Sequence, residues 1–362
     1  MTPARGGNKR VFLLTHPRTA SNLVIRILNL ENQPAVCSPG GNTESSDERG
    51  YFFLPTVPRR LELADRRSED WTEEEHADMK RCLEACTAEL VRHVESAEAE
   101  GRSVCVKEHL MWMLSPAAED LVKARVTTED RDANIPQQET GEGQNESLTK
   151  AQNQTVLPDA FLRTWTPTFL IRHPALVFPS LYRTSVDLEG PEQATKNADG
   201  SFRMEMTWRW SRNLWEWFNK QRLDQSMASG KVRRRSRNDG QSTSSWPIIL
   251  DADDVILHPS VIRRYCGIVG LDPDKCQFKW ESATAEEQQR LNVFERRMKS
   301  SLLSSTGLIK EGKTAIGLDI EREAQKWKAE FGGEEAKKLL SWVKDAMPDY
   351  EFLRERRLRE GD

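Results

Sequence analysis

Residues Lys9–Leu30 read KRVFLLTHPRTASNLVIRILNL. Val11–Leu14 is a short, wholly apolar run between polar residues, the signature of a strand buried on both faces of a parallel sheet. Thr15–Asn22 is a polar turn, after which Leu23, Val24, Ile27 and Leu28 recur at helical spacing. A strand, a tight polar turn and a helix aim unpaired backbone N–H groups at whatever sits above the turn, and this geometry suits an anion. The turn adds hydroxyls at Thr19 and Ser21 and a guanidinium at Arg18. Ordinary N-capping explains Ser21 or Asn22 equally well, so the stretch alone leaves both readings open.

Working outward, 362 residues with 37% hydrophobic and 30% charged side chains suit one large α/β domain with long polar loops. A formal net charge of −4 argues against a nucleic-acid or membrane footprint. The chain has no run of apolar residues long enough to span a bilayer, and its polar start leads straight into a core strand. The six cysteines form no CxxC pair and none lies near a histidine at zinc-finger spacing; they read as reduced thiols of a cytoplasmic protein, with no metal site. The domain is expected to run from residue 9 to 350. It carries a disordered insertion at 126–157, where apolar content nearly vanishes, and a mobile basic loop at 224–245.

Within it, Thr72-Glu-Glu-Glu75 has the capping-box pattern and opens a helix to about Glu100. Val104–Val106 reads as a strand, with Lys107 and His109 at or just past its C-terminal end and on one side of it. Thr168–Ile171 is a further strand, with Arg172 at its end, Pro174 stopping it and Ser180 eight residues after the arginine, on the next helix. An arginine at a strand end with a hydroxyl downstream suits a dianionic phosphate, and pairing with a local carboxylate accounts for it as simply. Gly190–Gly200 reads as a polar loop and Met204–Asn219 as a tryptophan-rich helix, its rings suited to the core by default or, on one face, to bordering an aromatic-tolerant pocket. Pro247–Leu250 is the last strand, and helices are expected at Pro259–Gly267, near Glu286–Leu303, and at Asp319–Phe331 and Glu334–Ala346. Tyr51-Phe52-Phe53-Leu54 is an aromatic cluster in a polar loop, suited to walling a pocket or pinning the loop to the core.

Three of these segments resemble the sulfotransferases that use 3′-phosphoadenosine 5′-phosphosulfate (PAPS). Pro17-Arg18-Thr19-Ala20-Ser21-Asn22-Leu23 is similar to the family's 5′-phosphosulfate loop, Lys107-Glu108-His109 to the strand that carries its catalytic histidine, and Arg172-His-Pro174 with Ser180 to its 3′-phosphate site. The similarity covers about residues 9–280, and the closing STG, KW and AMPDYEFL segments are similar to a fungal group of sulfotransferase-like proteins. The resemblance implies a three-layer α/β/α fold with a central, mainly parallel sheet, of the P-loop NTPase-like kind. It implies transfer of a sulfuryl group from PAPS to a hydroxyl or amine of a small molecule, with no metal. His109 would be the general base. Arg18, with Lys107, would neutralise the departing phosphate, while residues 19–23 hold the 5′-phosphate and Arg172 with Ser180 the 3′-phosphate.

The chain departs from that pattern at Ala20, where the family has glycine, at Asn22, which replaces a hydroxyl, and at Arg18, where lysine is commoner. The Arg-Lys-Gly segment of cytosolic members is absent, and Lys310-Glu-Gly312-Lys313 is its candidate substitute. A homodimer is left open. The alternatives are a repurposed nucleotide-binding protein without catalysis and an ATP- or GTP-using phosphotransferase. The second lacks the GxxxxGK[ST] loop that such chemistry requires.

Overall fold

The computed structural model describes residues 9–33, 35–37, 51–121, 152–228 and 246–361. Its regular elements are β1 (Arg10–Thr15), α1 (Ser21–Leu28), β2 (Val36–Cys37), α2 (Glu73–Ala99), β3 (Ser103–His109), β4 (Thr166–Ile171), α3 (Pro174–Glu189), α4 (Pro191–Asp199) and α5 (Arg209–Ala228). Then follow β5 (Ile248–Asp251), α6 (Ala252–Leu257), α7 (Pro259–Val269), α8 (Val293–Leu303), α9 (Ile320–Phe331) and α10 (Gly333–Glu355), with shorter turns of helix between them.

The strands form one all-parallel sheet in the order β2-β3-β1-β4-β5. Period-two alternation splits its side chains between two cores. Phe12, Leu14, Val104, Val106, Phe169, Ile171 and Ile249 face α2, α3, α5, α9 and α10. Val11, Leu13, Cys105, Leu170, Ile248 and Leu250 face α1 and α7. The sheet is therefore the middle of three layers, as expected. Strand order reverses at β1, with β3 on one side and β4 on the other. A crevice at the carboxyl end of such a switch is where open α/β sheets bind ligands.

Several expectations are corrected. β3 continues through His109, because Lys107 and His109 pair in register with Leu13 and Thr15 of β1 and every residue from 104 to 109 is buried. Gly190–Gly200 is mostly helix α4, entered at Pro191 and anchored by buried Ala194 and Ala198. The helix expected near Glu286–Leu303 is two, Ala285–Gln289 and α8, each opened by its own capping box. The last helix runs on to Glu355 because Ala346, Tyr350 and Leu353 extend its buried stripe. The tryptophan-rich helix starts at Arg209, and Trp208, Trp210 and Trp217 are core residues. Residues 126–151 of the 126–157 segment and 229–245 of the 224–245 segment lie outside the described residues. Of the remainder, Thr155 bridges Leu114, Leu157 is buried, and residues 224–228 end α5.

Candidate active site

The polar turn after β1 is built on two left-handed residues, Arg18 at φ 66° and Ala20 at φ 65°. Buried Thr19 sits between them, its hydroxyl donating to the His16 carbonyl at 2.6 Å. Ala20 is the N-cap residue of α1 and offers no side-chain acceptor, while its carbonyl accepts the first helical bond from Val24 N–H at 3.1 Å. The first-turn amides of α1 are left for another acceptor, with the positive end of the helix dipole behind them. Glycine would take this conformation freely; alanine carries a cost of roughly 1–2 kcal/mol. Thr19 is thus structural in its side chain, whereas Ala20, Ser21, Asn22 and Leu23 line a cavity of about 340 Å³.

His109 closes one end of that cavity. Its Nδ1 lies 2.7 Å from Thr15 Oγ1, and Thr15 in turn donates to the Glu108 carbonyl at 3.0 Å. With that proton committed, Thr15 accepts from Nδ1–H, and the free lone pair of the imidazole is on Nε2. Burial, then the nearby Lys107 and His16, holds the imidazole well below its ordinary pKa, so it is neutral at pH 7. The nearby His16 is engaged elsewhere: its ring nitrogens face the carbonyls of Pro17 and Glu205.

Lys107 shares the face of His109 but does not reach the cavity. It is 4% exposed, donates to Asn22 Oδ1 at 2.7 Å and lies 4.0 Å over the Tyr51 ring. Burial, aided by Lys299, lowers its pKa to about 7. Tyr51 packs its ring 4.7 Å from that of His109 and its hydroxyl 3.3 Å from Ser21 Oγ. Glu108, alternating to the other face, holds this aromatic segment in place. Its carboxylate accepts from Phe53 N–H at 3.0 Å and from His109 N–H at 2.9 Å. The tripeptide Lys107-Glu108-His109 therefore sets the helix start, the aromatic wall and the histidine at once.

The other end of the cavity is cationic. Arg172, past the end of β4, donates through Nη1 to the Arg18 carbonyl at 3.0 Å and through Nη2 to the Lys313 carbonyl at 2.8 Å. Its buried Nε has no partner. Arg18 donates through Nε to Ser180 Oγ at 3.0 Å and through Nη1 to the Met298 carbonyl at 3.1 Å. Burial, then Arg297, Arg172 and Arg183, depresses the Arg18 pKa to about 10. Lys313 Nζ donates to Ser301 Oγ at 3.3 Å.

Arg18, His109, Arg172 and Ser180, far apart in sequence, thus line one cavity together with residues 20–23. Sequence reading missed Lys299 and Arg183, which also line it, and left Lys313 as a bare substitute for an absent motif. A helix start could be read from the Asn292–Glu295 capping box, but no local pattern says that α8 crosses the cavity. Among the described residues no group of three or more His, Cys, Asp or Glu side chains is placed to hold a metal ion. Among them, too, no helix is long and apolar enough to cross a membrane.

Comparison with known proteins bears on this arrangement. The chain is 39% identical over 363 residues to "Sulfotransferase ppzF" of Metarhizium majus, covering 99% of each. It is 39% identical over 370 residues to the protein of the same name in Metarhizium rileyi, again covering 99% of each. The chain belongs to the sulfotransferase family. No family model matches it, and no solved structure does. For a sulfotransferase, it matters that each of the three segments on which the sequence resemblance rested contributes to the lining of the cavity, beside Tyr51, α8 and Lys313.

Proposed function

We propose that this sulfotransferase uses PAPS as donor and transfers the sulfuryl group in line to a hydroxyl or amine of a small molecule, with His109 as general base. The observation that carries the reading is the meeting, in one cavity, of a neutral histidine with Nε2 free, an uncapped helix N-terminus and an arginine–serine cluster. The residues fit the donor. The uncapped amides of α1 suit its 5′-phosphosulfate, and Arg172, with its unpartnered buried Nε, suits its 3′-phosphate. The cavity is of a size common for small-molecule sites.

The donor supplies the sulfuryl group, and the chain supplies position, charge and a proton acceptor. His109 Nε2 takes the proton of the acceptor hydroxyl, and Thr15 fixes the tautomer that leaves the lone pair on Nε2 of this cavity-lining ring. Such a base contributes roughly 10²–10⁴ in rate. The amides of residues 21–23 bear the charge that grows on the leaving phosphate, each donor worth roughly 3–4 kcal/mol if aimed at it. Lys107 acts through Asn22 and Tyr51, holding the helix start against the histidine. Free cysteines throughout the described chain suit the cytoplasm, where we place the protein. The domain is taken as single, from residue 9 to 350.

Calorimetry with adenosine 3′,5′-bisphosphate, the other product of the transfer, tests the donor. It should bind and raise the melting temperature, and Arg172→Ala should abolish both effects. Absence of binding to the wild-type chain at millimolar nucleotide would sink the reading. Release of sulfated product or of the bisphosphate from PAPS, lost in His109→Ala, would separate an enzyme from a repurposed binding protein.

A further inference from the structure

A second, smaller cavity, of about 50 Å³, shares a wall with the His109 end. Trp112 lines it, and the Trp112 ring stands edge-on to the His109 imidazole with centroids 4.5 Å apart. We infer that this cavity is a subsite for the acceptor in which Glu205 holds a protonated amine, so that the molecule sulfated at its hydroxyl carries an ammonium group at its other end. The inference rests on the PAPS reading with His109 as base and narrows the acceptor within it.

Val57, Leu61, Met111 and Met204 give the cavity apolar walls, so each polar group on it has to be accounted for. Arg60 and Glu119 neutralise each other in an ion pair. The Arg60 guanidinium is taken up further, through Nε by Thr56 Oγ1 at 3.1 Å and through Nη2 by the carbonyls of Trp112 and Leu114 at 2.9 and 2.7 Å. Two groups remain. The Ser201 hydroxyl is buried and has no partner. The Glu205 carboxylate meets no donor and no cation among the described residues. The charge that acts on it is a second carboxylate, Glu189, and burial followed by Glu189 lifts its pKa to about 7. A carboxylate so placed gains from a cation brought to it. An ammonium group offers three donors, enough for Glu205 and Ser201 together, and neither a carboxylate nor an alkyl end can do this.

The volume admits a head group and not a whole acceptor. The remainder of the molecule therefore has to lie towards His109, where Trp112 and Tyr51, with ring centroids 5.2 Å apart, offer faces to an aromatic body. Glu205 is held in register with that end. Its carbonyl faces His16 Nε2, the His16 ring packs 5.2 Å from buried Trp208, and His16 is near enough to His109 to act on its charge.

The test is sulfation, with PAPS, of 4-(ω-aminoalkyl)phenols with side chains of two to five methylenes, beside 4-alkylphenols and 4-hydroxyphenylalkanoates of the same lengths. Transfer forms the bond from the phenol oxygen to sulfur and breaks the bond from sulfur to the 5′-phosphate oxygen, the phenol proton passing to His109. At the best length the ammonium phenol should exceed its neutral counterpart in kcat/KM by roughly 10- to 100-fold, the order of a hydrogen bond to a charged group, and the anionic phenol should be the poorest. Glu205→Gln, close in shape, should collapse that ratio to within about threefold of unity, and Glu205→Asp should keep part of it. Melting temperature and affinity for adenosine 3′,5′-bisphosphate check the fold of both variants. Ser201→Ala should lower the ratio by roughly two- to fivefold, and with the wild-type order of the three series it decides the matter if Glu205→Gln does not fold. A purely structural Glu205 would lower all three series together and leave the ratio unmoved. That result overturns the inference, as does a wild-type chain that prefers the neutral or anionic phenols or sulfates none of them while binding the bisphosphate; the PAPS reading then stands. Failure of the wild-type chain to bind the bisphosphate overturns both, and so is told apart.

Discussion

The two ends of the cavity are built on opposite principles. At the His109 end polar groups are paired: Nδ1 with Thr15, Glu108 with two backbone N–H groups, Lys107 with Asn22 and the Tyr51 ring. At the Arg172 end Arg18 and Lys313 each face other cations, while Asp253 and Asp251 favour the charge of Arg172, and a buried guanidinium N–H has no partner. The first end is finished without a ligand; the second is electrostatically incomplete. A proton acceptor must be aimed before the substrate arrives, and fixed hydrogen bonds do that. A dianion site gains from unpaid repulsion, because binding then relieves it.

The comparison is broken most severely at the finished end. His109→Ala should lower turnover of PAPS by roughly 10²–10⁴. Adenosine 3′,5′-bisphosphate should still bind the variant within a few-fold of wild type, since the cationic end is untouched. Titration calorimetry beside a steady-state assay checks both halves. Loss of binding would mean that the ends are one unit and that the contrast is false. The pH profile sharpens the same point. A histidine proposed as base must be neutral, and burial with Lys107 holds the folded pKa of His109 well below 6.5. Acid should therefore not reduce turnover until the pH falls well under 6.5, with protonation of Nε2 as the cause. An acid limb centred at 6.5 or above would contradict the buried, cation-flanked setting.

A smaller effect is expected from Thr15→Val. It removes the acceptor that keeps the proton on Nδ1 while retaining the shape of the side chain. Turnover should fall about fivefold, the order of one neutral hydrogen bond of about 1 kcal/mol. Bisphosphate affinity should not move. An equal fall in affinity would make Thr15 a general packing residue and not the setter of the tautomer.

How much of this was legible in the chain follows the range of the interactions. Apolar Val11–Leu14 and the helical spacing from Leu23 to Leu28 are local signals, and both elements are present. Period-two alternation put Lys107 and His109 on one face, and they share it. Which of the two reaches the cavity was not legible, because that depends on Asn22 and Tyr51 arriving from elsewhere to cover the lysine. The direction of Arg18 was hidden for a similar reason. It depends on a left-handed backbone and on contacts with Ser180 and Met298, 162 and 280 residues away. Thr19 looked like a phosphate ligand in sequence, yet a turn that buries it spends its hydroxyl on the preceding carbonyl.

The smallest effect concerns Ala20, which stands between the two ends. The sequence raised it as a strained substitute for glycine, and its φ of 65° places it in the left-handed region. Strain there does not distort the amides that follow, because Val24 N–H still closes the first helical turn on the Ala20 carbonyl at 3.1 Å. Ala20→Gly removes a left-handed penalty of roughly 1–2 kcal/mol but adds unfolded-chain entropy of roughly 0.5–1 kcal/mol. The net expectation is a gain of about 0.5–1 kcal/mol, seen as a small rise in melting temperature, with bisphosphate affinity unchanged within about twofold. If the affinity rose tenfold instead, the alanine would be holding the α1 amides away from the phosphate. The helix start would then be as unfinished as the arginine cluster, and the contrast between the two ends would have to be redrawn.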